Sequence, residues 1–429
     1  MQINYSVKPN KNFYLEVELP GSKSISNRAI ILSALSGKKV ILKNFLTSDD
    51  TNYMIEGLKK LGNTIYFSEN KKNLTILGNS KRDFGKVELF TGNAGTMMRF
   101  LAAYILTGKG EITLTGDARM NMRPIKDLVN SLKELGALVS YENSEGYPPI
   151  KIISEGKILK NLISVDSSIS SQYLTALLLS ASYYSSPLKI AVPKGKIVSR
   201  PYIDMSLKMI EQFGGDILEN KDNFSFKVTP KEFSLTEYLI EGDMSGASYF
   251  LAMALITNSI IKINNFFKNS LQGDKKFLDI FLKLGGIILE ETDFSITVKG
   301  VEDYPGIDID LNDAPDIAQT LAVVALFANT QTTIRNVFNM RVKETDRISA
   351  LKNEITKLGG IFEEWEDGFS ITPSKNYHSA EIDTYNDHRM AMSLALAGLR
   401  IDGVTIKDSL CVSKTFPDFF KIFDKIYIS

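Results

Sequence analysis

Cations stand where helices begin. The stretch GSKSISNRA, residues 21–29, sets Lys23, Ser24 and Arg28 at the mouth of the apolar run IILSAL. Similar company recurs along the chain: Asn93, Gly95 and Arg99 in NAGTMMR, and Ser170, Ser171 and Gln172 in SSQYLTAL. Arg123 precedes Pro124 in MRPIKDL, a proline suited to a first helical turn, and SRPYIDM repeats the pattern with Ser199, Arg200 and Tyr202. RVKETDR holds Arg341, Lys343, Glu344, Asp346 and Arg347, DHRMAM holds Arg389, and SKTFPDFF holds Ser413 and Lys414. Serines at such places are explained by N-capping. Lysine and arginine are not, because the helix dipole disfavours them there. A cation at a helix N-terminus implies an anion to bind, which the exposed N–H groups would also welcome. The spacing points to a shared site lined by Lys23, Arg123, Arg347, Arg389 and Lys414, suited to phosphate or carboxylate groups. Among these cations lie Asp316 and Glu344, which fit either charge compensation or proton transfer.

Two interleaved series of elements carry these residues. In the first, an amphipathic stretch ends in an apolar residue and a glycine: Gly62, Gly136, Gly214, Gly285 and Gly359 recur every 71–78 residues. Each glycine suits a helix end, and a pair of strand-like runs follows it. The second series consists of helices apolar nearly all round, predicted to be buried. They start from Ser22, Asn93, Ser170, Met244, Pro315 and Asp387, spaced 71–77 residues apart. PDFFKIFDKI (417–426) is the expected sixth amphipathic helix, and INYSVKP and FYLEVEL near the N-terminus are the expected source of the strands it lacks. The pattern predicts an α/β protein of two similar domains with three repeats each. Residues 1–20 plus 241–429 form one domain and 21–240 the other, with a hinge near Pro20 and Leu239–Glu241.

The composition restricts what such a site can serve. Of 429 residues, 44% are hydrophobic, and 50 Lys plus Arg balance 50 Asp plus Glu. Zero net charge argues against a general nucleic-acid binder. One cysteine, Cys411, and two histidines, His378 and His388, exclude an internal disulfide and a Cys- or His-rich metal site. The longest apolar runs, such as LAVVALFA (321–328), fall far short of the ~18 residues a membrane span needs. The N-terminus lacks a charged-then-apolar leader. A reduced, cytoplasmic enzyme or binding protein is expected, with no membrane partner.

LPGSKSISNRA, GNAGTMMR, RMNMRPI, SSQYLTALL, SRPYIDM, EGDMSGASYFLA, PDIAQT, RVKETDR, TYNDHRMAM and SKTFPDFF together resemble the signature segments of the 5-enolpyruvylshikimate-3-phosphate synthase family, in the family's order, from residue 19 to residue 420. The resemblance implies the enolpyruvyl transferase fold, an inside-out α/β barrel of two domains, each built of three βαβαββ units that close over the substrates. It implies that shikimate 3-phosphate is held by Lys23, Ser24, Arg28, Ser170, Ser171, Gln172, Ser199, Asp316, Asn339 and Lys343, with Tyr202 packing nearby. It further implies that phosphoenolpyruvate is held by Lys23, Asn93, the Gly95 N–H, Arg123, Gln172, Arg347, Arg389 and Lys414, with Arg99 close to that region. Asp316 would accept the proton of the attacking hydroxyl, Glu344 would protonate the enolpyruvyl carbon, and Lys23 would stabilise charge. No metal or organic cofactor is implied. The expected state is a monomer, and the family's inhibitor, glyphosate, is the expected further ligand.

The sequence departs from the commonest family pattern at Met97 and Phe100, where alanine and proline are frequent. Gly95 remains glycine, so sensitivity to glyphosate is expected. The related enolpyruvyl transferase that acts on UDP-N-acetylglucosamine is the nearest rival. Most of its members carry a loop cysteine in the first third of the chain, whereas Cys411 lies near the C-terminus. A non-catalytic anion-binding or RNA-end-processing protein is the rival from another class. Zero net charge and the Asp316–Glu344 pair count against it.

Overall fold

A computed structural model describes residues 3–69, 72–193 and 197–428. The chain divides into two compact units, 21–240 and 1–20 with 241–429. The same construction runs through both. An apolar helix follows one strand, a second strand pairs parallel to the first, and an amphipathic helix then leads into two antiparallel strands.

In the 21–240 unit the apolar helices are α1 (Lys23–Ser36), α3 (Gly95–Tyr104) and α5 (Ser171–Ala181). The amphipathic helices are α2 (Asp49–Lys60), α4 (Lys126–Glu134) and α6 (Arg200–Phe213). The three apolar helices pack on one another, and nearly all of their residues are buried. Three four-stranded sheets complete this unit among the described residues. In the middle one, Asp83–Phe90 pairs parallel to Lys109–Thr115, which pairs antiparallel to Ile150–Glu155 and through it to Leu138–Tyr141. The first repeat takes its parallel strand from far away: Glu237–Leu239 lies beside Ile41–Lys43.

In the other unit the apolar helices are α7 (Met244–Thr257), α9 (Ala318–Ala325) and α11 (His388–Ala395). The amphipathic ones are α8 (Lys276–Lys283), α10 (Arg347–Lys357) and the short α12 (Phe419–Phe423). α7 is buried along its whole length. It packs against α9, which packs against α11, and these helices anchor one continuous hydrophobic core. This unit has two four-stranded sheets and one three-stranded sheet among the described residues.

The glycines that mark the repeat do what the pattern requires. Gly62, Gly136, Gly214, Gly285 and Gly359 all have φ between 83° and 103°, a left-handed conformation that ends a helix at little cost only for glycine.

Two sequence-based expectations are corrected. FYLEVEL does not complete the sixth repeat. Tyr14–Glu18 instead pairs parallel with Ile260–Asn264 in the fourth repeat, burying Leu15 and Val17. Only Tyr5–Ser6 joins the last sheet, beside Thr405–Ile406. Pro124 does not open a helical turn either: α4 starts at Lys126, and Ile125 is its cap. The Pro124 carbonyl accepts hydrogen bonds from Arg99 Nη2 (2.8 Å) and the Tyr173 hydroxyl (2.6 Å), which hold the residue in the preceding loop.

Candidate functional site

In the 21–240 unit the candidate residues cluster at the mouths of α1 and α3 and at the start of α6. Ser22 caps α1, accepting from Ile25 N, so Lys23 occupies the first helical position and Arg28 lies one and a half turns in. Lys23 Nζ stands 3.4 Å from Asp50, a buried residue in the first turn of α2. The capping box of Ser48 and Thr51 fixes that turn.

Arg28 is 3% exposed. Its Nε donates to Ser206 Oγ (2.8 Å), Nη1 to the Ser24 carbonyl (2.9 Å) and Nη2 to the Tyr202 carbonyl (3.2 Å). The Phe100 and Tyr202 rings flank the guanidinium, with centroids 5.5 and 5.8 Å from Cζ. Burial lowers its pKa to about 10, against the opposing pull of Tyr202, so the group stays charged at neutral pH. Ser199, buried at the cap of α6, takes a left-handed φ of 52° and accepts at its carbonyl from Tyr202 N.

Arg123 Nη1 bonds both the carbonyl (3.1 Å) and Oδ1 (3.0 Å) of Asn93. The Gly95 N–H donates to the same carbonyl at 3.1 Å. The Arg123 guanidinium lies directly against Gly95, where a Cβ would stand 2.5 Å from Nη2 and push the side chain aside. Arg99, named from the sequence as a neighbour, braces this corner by bonding the Gly95 and Pro124 carbonyls. Ser170 caps α5 by accepting from Gln172 N, with Ser171 buried beside it. α5 is tied to the Arg123 loop through the Tyr173–Pro124 bond.

The other unit gathers Asp316, Lys343, Glu344, Arg347, Arg389 and Lys414 into one ion-pair chain. Asp316 sits in the single turn Pro315–Ile317 before α9. Its Oδ1 meets Arg347 Nη1 (3.1 Å) and Lys343 Nζ (3.7 Å), and its Oδ2 meets Arg389 Nη2 (2.9 Å). Arg347, 1% exposed, also bonds Glu344 (2.9 Å) and Asp387 (2.7 Å). Lys414 Nζ lies 3.8 Å from Glu344 Oε1. Asn339 is buried in the turn Phe338–Val342, just before Lys343.

These contacts set the protonation states. Burial would raise the pKa of Asp316, but Arg389, Lys343 and Arg347 outweigh it and hold the carboxyl well below the usual range. Burial likewise opposes the charge on Arg347, and Asp387, Glu344 and Asp316 reverse that. Asp316 and Arg347 are therefore both charged, and a buried, laced set of charges is costly to build unless it serves a purpose.

Sequence reasoning missed Asp50, Ser206 and Asp387. Asp387 adjoins Arg389 in NDHR and caps α11, so its position carried a signal. Asp50 and Ser206 acquire their roles only through contacts between distant parts of the sequence. No group of three or more His, Cys, Asp or Glu that could hold a metal occurs among the described residues, and no helix is long and apolar enough to cross a membrane.

The EPSP synthase (3-phosphoshikimate 1-carboxyvinyltransferase) family model matches residues 7–423. The 3-phosphoshikimate 1-carboxyvinyltransferase of Vibrio campbellii is 46% identical over 418 residues, 97% of each chain. That of Haemophilus ducreyi is 45% identical over 421 residues, 96% of this chain and 95% of its own. A solved EPSP synthase from Acinetobacter baumannii shares the fold with a TM-score of 0.81, at 24% identity, over 99% of this chain and 98% of that one. The fold is that of an enolpyruvyl transferase, and the protein is a transferase enzyme. Within that class, the chain belongs to the EPSP synthase family, which takes one step of the shikimate pathway toward aromatic amino acids.

Proposed function

We propose that the chain transfers the enolpyruvyl group of phosphoenolpyruvate to the 5-hydroxyl of shikimate 3-phosphate, releasing phosphate. The observation that carries this reading is the pair Asp316 and Glu344, two carboxylates laced to Arg347 and surrounded by Lys343, Arg389 and Lys414. Two anionic substrates would account for so many cations, whose charge a single phosphate does not need.

In the proposed addition, the hydroxyl oxygen bonds to C2 of phosphoenolpyruvate as Asp316 takes its proton and Glu344 delivers one to C3. In the elimination, C3 gives back a proton, the double bond re-forms, and the C2–O bond to phosphate breaks. Held far below the usual carboxylate range, Asp316 is a weak base in the unliganded protein. Substrate anions that engage Arg389 and Arg347 would share the cations holding it down and raise its basicity toward the task. Lys23 and Arg123 would stabilise charge on the carboxylate and departing phosphate. Arg28, Ser24, Ser170, Ser171, Gln172, Ser199, Tyr202, Asn339 and Lys343 would hold shikimate 3-phosphate. Asn93, Gly95, Gln172, Arg347, Arg389 and Lys414 would complete the phosphoenolpyruvate site.

The test is phosphate release from the two substrates together, with each alone as control. Release that requires UDP-N-acetylglucosamine in place of shikimate 3-phosphate overturns the reading. We further propose a cytoplasmic monomer inhibited by glyphosate, the inhibitor of its family. Full activity in millimolar glyphosate would sink the last point.

A further inference from the structure

Asp274 is a buried carboxylate that the proposed chemistry does not use. It lies in the turn Gly273–Lys275, which packs against the start of α7. The turn is fastened there. The Gln272 side chain accepts from Met244 N (3.1 Å) and donates to the Gly242 carbonyl (2.7 Å), while Glu241 accepts from Ser270 Oγ (2.6 Å).

From this position Asp274 Oδ2 accepts a 2.6 Å hydrogen bond from Ser245 Oγ. A serine hydroxyl has one proton. With that proton committed to Asp274, the oxygen can only accept, and it faces Arg389 Nη2 at 3.3 Å. The same nitrogen donates to Asp316 Oδ2, and Arg389 Nη1 faces the Tyr249 hydroxyl at 3.4 Å. The guanidinium is therefore held from two sides, by Asp316 and by an oxygen whose polarity Asp274 dictates.

We propose that Asp274 is a positioning residue that, by fixing the Ser245 proton, orients the Arg389 fork for the carboxylate or phosphate of phosphoenolpyruvate. This rests on the function proposed above. The groups that face Asp274 are Ser245 and Asp243 of the α7 start, Arg389 of α11 and Asp316 before α9. Burial first, then Asp316 and Asp243, push its carboxyl up to about 6, against Arg389 and the Ser245 bond. Ionised, Asp274 takes the serine proton. Once neutral, its own proton competes for Ser245 Oγ, and the brace on Arg389 loosens as pH falls through that region.

The experiment uses the full-length enzyme, with both Michaelis constants and kcat measured on either side of pH 6. Asp274→Asn should raise KM for phosphoenolpyruvate roughly tenfold, the loss of one charge-linked hydrogen bond, and leave KM for shikimate 3-phosphate within about twofold. The wild-type KM for phosphoenolpyruvate should climb on acidification more steeply than the variant's, the substrate's own titration being common to both. Ser245→Ala, which removes the link without touching the buried charge, should give the same split, and the double variant should add little to either. If Asp274→Asn fails to fold, Ser245→Ala alone decides. Equal changes in both Michaelis constants, or wild-type pH behaviour in the variants, overturn the proposal. A wild-type enzyme inert toward the two substrates removes the underlying reading. An active wild type with unaltered variants removes only the role of Asp274.

Discussion

The two units hold their cations in opposite ways. Arg28 and Arg123 spend donors on carbonyls, a serine hydroxyl and an asparagine side chain, and Arg28 lies between aromatic rings. Arg347 and Arg389 are laced to Asp316, Glu344 and Asp387. A guanidinium held by neutral acceptors keeps its whole charge for a ligand. One shared among carboxylates has little charge to spare, yet it can exchange one anion for another and alter the basicity of the acid it leaves. The first arrangement suits gripping and the second suits proton transfer. Lys23, paired with Asp50, brings one acid into the gripping unit.

The comparison breaks most sharply at the acids. Asp316→Ala and Glu344→Gln should each cut kcat by about 10²–10⁴-fold, with Michaelis constants moving far less. Steady-state kinetics with near-normal turnover in either variant would remove that residue from catalysis. Next, Arg347→Met should destabilise the protein by about 3–5 kcal/mol in urea unfolding, because it strands buried carboxylates. Arg28→Met has no such partner to strand and should cost only about 1 kcal/mol. Equal losses would erase the distinction between the units.

Arg28→Lys tests grip alone. Loss of the planar fork should raise KM for shikimate 3-phosphate by about tenfold and spare that for phosphoenolpyruvate. The smallest effect is in acid. The folded pKa of Asp316 lies below its unfolded value of about 3.9, so its stabilising contribution is present above that pH and is lost as pH falls toward the folded value. Asp316→Asn should therefore flatten the acid limb of a stability profile. The Arg28 pKa is also lowered, but only to about 10, so its cost is constant throughout acid and Arg28→Met should leave that limb unchanged.

Much of the scaffold was legible because it repeats. Apolar helices recur near a fixed spacing, and the left-handed glycines after the amphipathic ones are chemically conspicuous. α9 differs only in being opened by the short turn at Pro315. What repetition cannot reveal is a strand's partner when both candidates have the same alternation, and so Tyr14–Glu18 was assigned to the wrong sheet. Pro124 misled for a related reason: local preference favoured a first turn, but two long-range hydrogen bonds to its carbonyl prevailed. Within the site, spacing alone suggested cations around an anion, and the individual ligand roles came from resemblance. Asp50, Ser206 and Asp274 belong to no periodic series and have meaning only through partners distant in sequence.

The excursion of residues 21–240 also sets an order of assembly. Every strand of that segment finds its partners inside the segment, including Glu237–Leu239 beside Ile41–Lys43. The flanking unit has no such independence: Tyr14–Glu18 must wait for Ile260–Asn264, and Tyr5–Ser6 for Thr405–Ile406. During synthesis the inner segment can finish folding while the apolar edge of Leu15 and Val17 is still unpaired. Such distant pairings are slow to form, and an unpaired apolar edge is open to association with other chains. Tyr5–Ser6 and Tyr14–Glu18 are thus made well before the strands they pair with, and for that interval their unpaired edges are open to misassembly.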